Sequence, residues 1–160
     1  MISAVILTFN RCNVLDETLA RVTQAGGCIG EVIVVDNAST DGTVELIGTK
    51  WPTVKLITLN SNTGVGGWNA GVRAASGACV LLLDDDCYPL PGSVEAAVNM
   101  MKTDADIGLV ALHVLEGPAL ESATDIYLDW PQSFDGCACL ADRSLFLELG
   151  GFCDRLFLYP

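Results

Sequence analysis

Basic residues are scarce in this sequence: eight Lys and Arg stand against twenty Asp and Glu, for a net charge of -12. A polyanion is bound by Lys and Arg that displace its counterions, so this balance argues against nucleic acid as a partner. An anionic small ligand would need a local source of positive charge, either a helix N-terminus, a few placed bases or a bound cation. Long hydrophobic runs are missing too. The longest, Cys79 to Leu83 and Ile107 to Leu115, fall well short of the roughly 18 apolar residues a membrane span needs, and they read as buried strands. No basic leader, apolar signal core or small-residue cleavage site stands before the apolar run that begins at Ile2. The expectation is a cytoplasmic protein, with peripheral association at the inner membrane face as an option.

Cysteine chemistry is also poorly provided for. Seven cysteines make an odd count without zinc-ribbon spacing, so reduced thiols are expected rather than a disulfide framework or structural metal. Cys137 and Cys139 are two apart, which on a strand puts them on one side instead of forming a redox CxxC pair. The single histidine, His113, lies inside an apolar run and reads as a satisfied core residue. Neither a Walker GK[ST] loop nor a first-strand GxGxxG is present.

What is present is a repeated alternation of apolar run, polar loop and helical spacing. With 160 residues, 51% of them hydrophobic, the chain suits one compact domain and leaves no room for a second complete one. Ile2 to Thr8 reads as a strand, and Leu15, Leu19 and Val22 keep helical spacing up to Gly26-Gly27. Glu31 to Val35 is a second strand, Thr43 to Ile47 a short helix and Val54 to Leu59 a third strand. After the Gly-rich loop Asn62 to Gly67, Trp68 to Ala75 reads as helix and Cys79 to Leu83 as a fourth strand. Further on, Ser93 to Met101 has helical spacing, Ile107 to Leu115 is strand-like and Gly117 to Asp129 has no clear period. Cys137 to Ala141 reads as a strand, and Ser144 to Leu149 as a helix closed by Gly150-Gly151. Strands apolar throughout imply burial on both faces, hence an α/β fold in which a mostly parallel, Rossmann-like sheet is sandwiched by helices.

Such sheets bind ligands at the C-terminal ends of their strands. Four polar clusters fall there: Thr8 to Arg11, Asp36 to Asp41, Asn60 to Gly67 and Asp84 to Asp86. The sharpest is the aspartate triplet, which has no Lys or Arg nearby in sequence. Two unit charges about 4 Å apart repel by on the order of 4 kcal/mol at an effective dielectric of 20, so the triplet calls for raised pKa values or a cation. Period-two geometry puts Asp84 and Asp86 on one side and turns Asp85 away. Their hard oxygens suit Mg²⁺ or Mn²⁺; the plain alternative is a solvated acidic turn or helix cap. Asp36 can accept an N–H from a nucleobase, or serve only as a turn former in DNASTDG, with Ser39 or Asp41 as the helix N-cap. Thr8 and Asn10 face the same choice between ligand and turn. The loop from Asn62 to Asn69 offers backbone amides to a ligand, or is an ordinary helix start.

In order, ILTFNR, EVIVVDNASTDGT, NSNTGVGGWNAGVRAASG, LLLDDDCYPLP and DGCACLADRSLFLELGGF resemble the motifs of family 2 glycosyltransferases with the GT-A fold, over nearly the whole chain. The resemblance implies inverting transfer of a sugar from a nucleotide-diphosphate donor, UDP- or dTDP-linked, to a saccharide or glycolipid acceptor, as in cell-wall or polysaccharide biosynthesis. It implies a DxD-type site for Mn²⁺ or Mg²⁺ at Asp84 and Asp86. Thr8, Asn10, Asp36, Gly64, Asn69 and Asp85 match donor-binding positions, with Asp36 as partner of the base. The family's acidic pair follows a GGFDExFFxYG-like stretch that residues Gly150 to Pro160 match, with Cys153 in place of an Asp. The catalytic base is therefore expected beyond Pro160, and residues 1–160 are expected to form a single GT-A-type domain, incomplete at its C-terminus. Two competing readings are a non-catalytic nucleotide-sugar-binding module and a nucleotidyltransferase-like enzyme. The second should carry an early glycine-rich, basic phosphate loop, which TFNRCNVLDET lacks.

Overall fold

The computed structural model describes residues 1–25, 27–115 and 136–157. In chain order the elements are β1 (Ile2–Thr8), α1 (Cys12–Ala25), β2 (Ile29–Asp36), α2 (Thr43–Lys50), β3 (Lys55–Thr58), a 3-10 turn (Gly64–Gly66), α3 (Gly67–Ala74), β4 (Cys79–Asp84), α4 (Ser93–Thr103), β5 (Leu109–Ala111), β6 (Ala138–Asp142) and α5 (Arg143–Glu148). The six strands form one sheet in the order β3-β2-β1-β4-β6-β5. β1 to β4 run parallel, whereas β6 is antiparallel to both β4 and β5.

Continuous apolar strands are explained by two cores. One face of the sheet buries Ala4, Ile6, Val34, Leu81, Leu83 and Leu140 with Leu15, Leu19 and Val22 of α1, Ile47 of α2 and Val94 and Ala97 of α4. The other face packs Val5, Ile33, Val35, Val80, Leu82 and Cys139 with Trp68 and Val72 of α3 and with Phe152. Neighbours on one strand thus belong to opposite cores, so neither face tolerates polar alternation. Each fully buried Leu, Ile or Val contributes about 1.5–3 kcal/mol relative to exposure. α3 lies close on the sheet because it offers Gly71, where an added Cβ would come within 2.2 Å of the Val5 side chain.

Three expectations need correction. The strand expected over Ile107 to Leu115 is only Leu109–Ala111, because its partner β6 starts at Ala138 and a strand extends no further than its partner. His113 consequently lies beyond the strand and is exposed, not a core residue. The N-cap of α2 is Gly42 with φ 93°, neither Ser39 nor Asp41, although the Asp41 carboxylate accepts from the Thr43 N–H at 3.2 Å. The aperiodic stretch from Gly117 to Asp129 lies outside the described residues.

Candidate functional site

Parallel pairing brings the exits of β1, β2 and β4 to one rim. Thr8 pairs with Asp36, Leu7 with Asp84 and Asp36 with Thr58, so the polar ends of three separate sequence stretches align. The β1–α1 and β2–α2 loops are stitched together at this rim. Asn10, at φ 53°, accepts from Thr40 N–H at 2.7 Å and donates its own N–H to Ser39 Oγ at 2.9 Å. The other Asp41 oxygen accepts from Cys12 N–H at 2.8 Å, at the start of α1.

The aspartate triplet does not continue the strand's alternation, since β4 ends at Asp84 and the chain turns there. Asp85, expected to point away, instead turns inward and is 4% exposed. It accepts from Thr8 Oγ1 at 2.8 Å and from Arg11 Nη1 at 2.9 Å, and the Phe9 N–H also stabilises its charge. Burial nevertheless raises its pKa above the ordinary carboxyl value. Asp84 is raised further, to about 6, by burial first and then by the charges of Asp86 and Asp85, against a hydrogen bond from the Cys137 thiol. Asp86 is half exposed and bonds Arg11 Nη1 at 2.9 Å. The triplet therefore does have a cation beside it, brought from 74 residues away in sequence. Sequence proximity was the wrong test for neutralising charge.

Asp36 is 1% exposed, and both its oxygens accept from the Ser39 N–H at 3.2 Å. That makes it a turn former, yet a carboxylate has about four acceptor sites, which leaves capacity for a further donor.

The glycine-rich loop is occupied largely by the chain itself. Gly64 has φ 58°, and a Cβ there would lie 1.9 Å from the Phe157 carbonyl oxygen. Val65 N–H donates to that same oxygen at 3.2 Å. Asn69 is buried, and its carboxamide is turned to the chain: it donates to Phe152 O at 2.8 Å and Asp154 Oδ1 at 2.9 Å, and accepts from Phe152 N–H at 2.9 Å. Phe152 also stacks on Trp68, ring centroids 5.3 Å apart. Residues 152–157 thus form a strap over the loop. The amides expected to approach a ligand are partly spent on this strap, and Gly64 and Asn69 serve it.

Three residues gain individual roles that the sequence does not signal: Arg11 and Asn37, each within a polar cluster at the strand ends, and Cys137, expected only as part of a strand. The Asn37 carboxamide, 3% exposed, donates to Gly64 O at 3.1 Å and accepts from Thr63 N–H at 3.3 Å, tying the β2 exit to the glycine loop. Cys137 precedes β6 rather than lying in it and contacts Asp84 and Cys87. Burial, then the neighbouring Cys137, pushes the Cys87 thiol up to about 12, which keeps it protonated. A run of Asn, Cys and Arg among turn residues carries no periodic signal that could have flagged these contacts.

Among the described residues no group of three or more His, Cys, Asp or Glu side chains forms a closed metal cage. A hard divalent cation that keeps bonds to water and phosphate needs only one or two carboxylates. Asp84 and Asp86 fit that use. Burial first, and then the charges of Asp86 and Asp85, disfavour the ionised form of Asp84, and Asp86 is open to solvent.

A family profile described as Glycosyl transferase family 2 matches residues 3–126. The glycosyltransferase YwdF of Bacillus subtilis is 36% identical over 104 residues, 64% of this chain and 38% of that protein. The succinoglycan biosynthesis protein ExoO of Rhizobium meliloti is 30% identical over 122 residues, 75% of this chain and 34% of that protein. The chain thus spans well under half the length of these relatives. Among solved structures, the mannosyltransferase PcManGT of Pyrobaculum calidifontis, in complex with GDP-Man and Mn²⁺, superposes with a TM-score of 0.74 at 25% identity, covering 97% of this chain and 48% of that one. S. aureus TarS 1-349 in complex with UDP-GlcNAc shares the fold with a TM-score of 0.69 at 17% identity, covering 93% and 47%. Among the described residues no helix is long and apolar enough to cross a membrane.

Proposed function

The chain belongs to glycosyltransferase family 2, and from that premise we propose that it forms the donor-binding part of an enzyme that moves a sugar from a nucleoside diphosphate to an acceptor hydroxyl, with inversion. The observation that carries this reading is the convergence of Thr8, Asp36 and the aspartate triplet on one rim, with Thr8 bonded directly to Asp85. The acceptor in this reading is a saccharide or glycolipid, and the donor is UDP- or dTDP-linked. PcManGT with GDP-Man and Mn²⁺ supports a metal-held donor; TarS with UDP-GlcNAc supports a uridine nucleotide.

In this role Asp36 receives the N–H of the base through its remaining acceptor sites. Thr8 holds Asp85 in place, and Asp85 in turn fixes the β1–α1 loop. Asp84 and Asp86 hold Mn²⁺ or Mg²⁺, which when bound neutralises charge developing on the leaving diphosphate. Asn69 and Gly64 keep the strap of residues 152–157 against the donor edge. The base that deprotonates the acceptor is assigned to residues beyond Pro160, and residues 1–160 to a single GT-A-type domain.

Calorimetry with UDP tests the reading. UDP is expected to bind in Mn²⁺ and to lose at least about tenfold in affinity, or about 1.4 kcal/mol, in chelator or in Asp86→Ala. Equal affinity under all three conditions rejects the metal assignment.

A further inference from the structure

Arg11 occupies an unexpected place for a cation. It directly precedes α1, its carbonyl accepting the Leu15 N–H at 2.9 Å, and a helix N-terminus favours anions. Its guanidinium is held there by the triplet alone: one nitrogen, Nη1, makes both 2.9 Å contacts, to Asp85 and to Asp86. Among the described residues its other nitrogens make no hydrogen bond, and no other Lys or Arg pairs with the triplet. The two contacts are unequal. Asp85 is buried and has Thr8 as a second partner, whereas the Asp86 side chain is 46% exposed and that of Arg11 47%. An exposed pair of this kind is cheap to open. A guanidinium with unused N–H groups is also suited to phosphate, which it can grip through two parallel bonds.

We propose that Arg11 is a resident counter-cation of the aspartate site: it holds Asp86 while no divalent ion is bound, yields that carboxylate when one arrives, and turns its free N–H groups to the diphosphate of the donor. This rests on the metal-assisted reading above and adds an exchange to it. The carboxylates that repel one another are never left without a cation, and the positive charge released from Asp86 is delivered where the ligand is most negative. The exchange has a signature that an ordinary salt bridge lacks. Removing Arg11 eliminates a competitor for the metal but also a partner for the phosphates, so the two affinities move in opposite directions.

The experiment compares the 160-residue chain with Arg11→Gln and Arg11→Lys, each checked for folding by circular dichroism. Mn²⁺ alone is titrated by electron paramagnetic resonance, and UDP in saturating Mn²⁺ by calorimetry. Arg11→Gln is expected to bind Mn²⁺ alone roughly two- to fivefold more tightly, matching the loss of an exposed pair. UDP should bind about tenfold more weakly, matching the loss of a charged hydrogen bond. Arg11→Lys should return Mn²⁺ affinity to near that of the parent and recover part of the UDP affinity. If Arg11→Gln weakens both or changes neither, Arg11 is only a structural clamp and the proposal is overturned. If the parent chain takes up neither Mn²⁺ nor UDP with Mn²⁺, the metal-assisted reading falls, and this one with it.

Discussion

Replacing Asp84 by Asn isolates the electrostatic strain of the rim. Burial and the charges of Asp86 and Asp85 raise the Asp84 carboxyl from its ordinary 3.8 to about 6. The folded chain thus holds this proton where the unfolded chain has released it. Stability from this source is full below the unfolded value and is lost as pH rises through about 6. Each tenfold change in proton affinity is about 1.4 kcal/mol, so full burial would make the loss about 3 kcal/mol; the carboxylate's partial exposure reduces this to about 1–2 kcal/mol. Carboxylates shifted the other way do not obscure the window. Asp16, Asp41, Asp142 and Glu31 all have depressed values, so their contributions are lost as pH falls from the ordinary carboxyl range downward, equally in parent and variant. Asp85, also raised, adds to the same trend as Asp84. The carboxamide of the Asp84→Asn variant keeps an oxygen for the Cys137 thiol and carries no charge at any pH. Thermal melting in chelator between about pH 4 and pH 7 should therefore show the parent losing about 3–6 °C relative to Asp84→Asn. Mn²⁺ at pH 7 should recover that loss in the parent and not in the variant. Parallel pH profiles for the two proteins would refute the reasoning, because the repulsion would then have no energetic consequence.

The strap, α2 and the buried aspartate give three more tests. Gly64→Ala places a side chain at φ 58° and against the Phe157 carbonyl, which should cost at least about 1–2 kcal/mol from the left-handed backbone alone and speed proteolysis within residues 152–157. Gly48→Ala, in α2 with nothing near its added Cβ, should instead raise the urea midpoint by the equivalent of about 0.5–1 kcal/mol. Thr8→Val removes a donor from buried Asp85, and a loss of about 1–3 kcal/mol in urea denaturation is expected; a loss under a few tenths would show that the hydroxyl is not needed there.

The frame of the fold was legible because burial on both faces leaves a strong mark. Apart from the buried Ser3 and their polar ends, Ile2–Thr8 and Cys79–Asp84 are apolar throughout, and Leu15, Leu19 and Val22 place α1 by spacing alone. The convergence of Thr8, Asp36 and the triplet followed from parallel pairing. What stayed hidden depends on contacts between distant stretches. Arg11 meets Asp85 across 74 residues, and Asn69 meets Phe152 across 83; no local pattern encodes either. The inward turn of Asp85 was misread because the alternation of β4 was carried past Asp84, where the strand ends. The antiparallel course of β6 was likewise unsignalled, since an apolar strand reads the same in both directions. His113 was misplaced for a related reason: apolar neighbours suggested a strand that its partner is too short to support.

The bond between Asn69 and the Phe152 backbone carries a consequence for when the protein matures. Closing a loop of 83 residues sacrifices chain entropy before the contact returns anything, so such contacts form slowly and late. β1, β2 and β3 pair across far shorter separations, and β4 leaves the ribosome well before Phe152 does, but the glycine loop acquires its final shape only once Phe152 has emerged and reached α3. A nascent chain halted before that point would hold most of its sheet while the cradle beside its aspartates was still unmade.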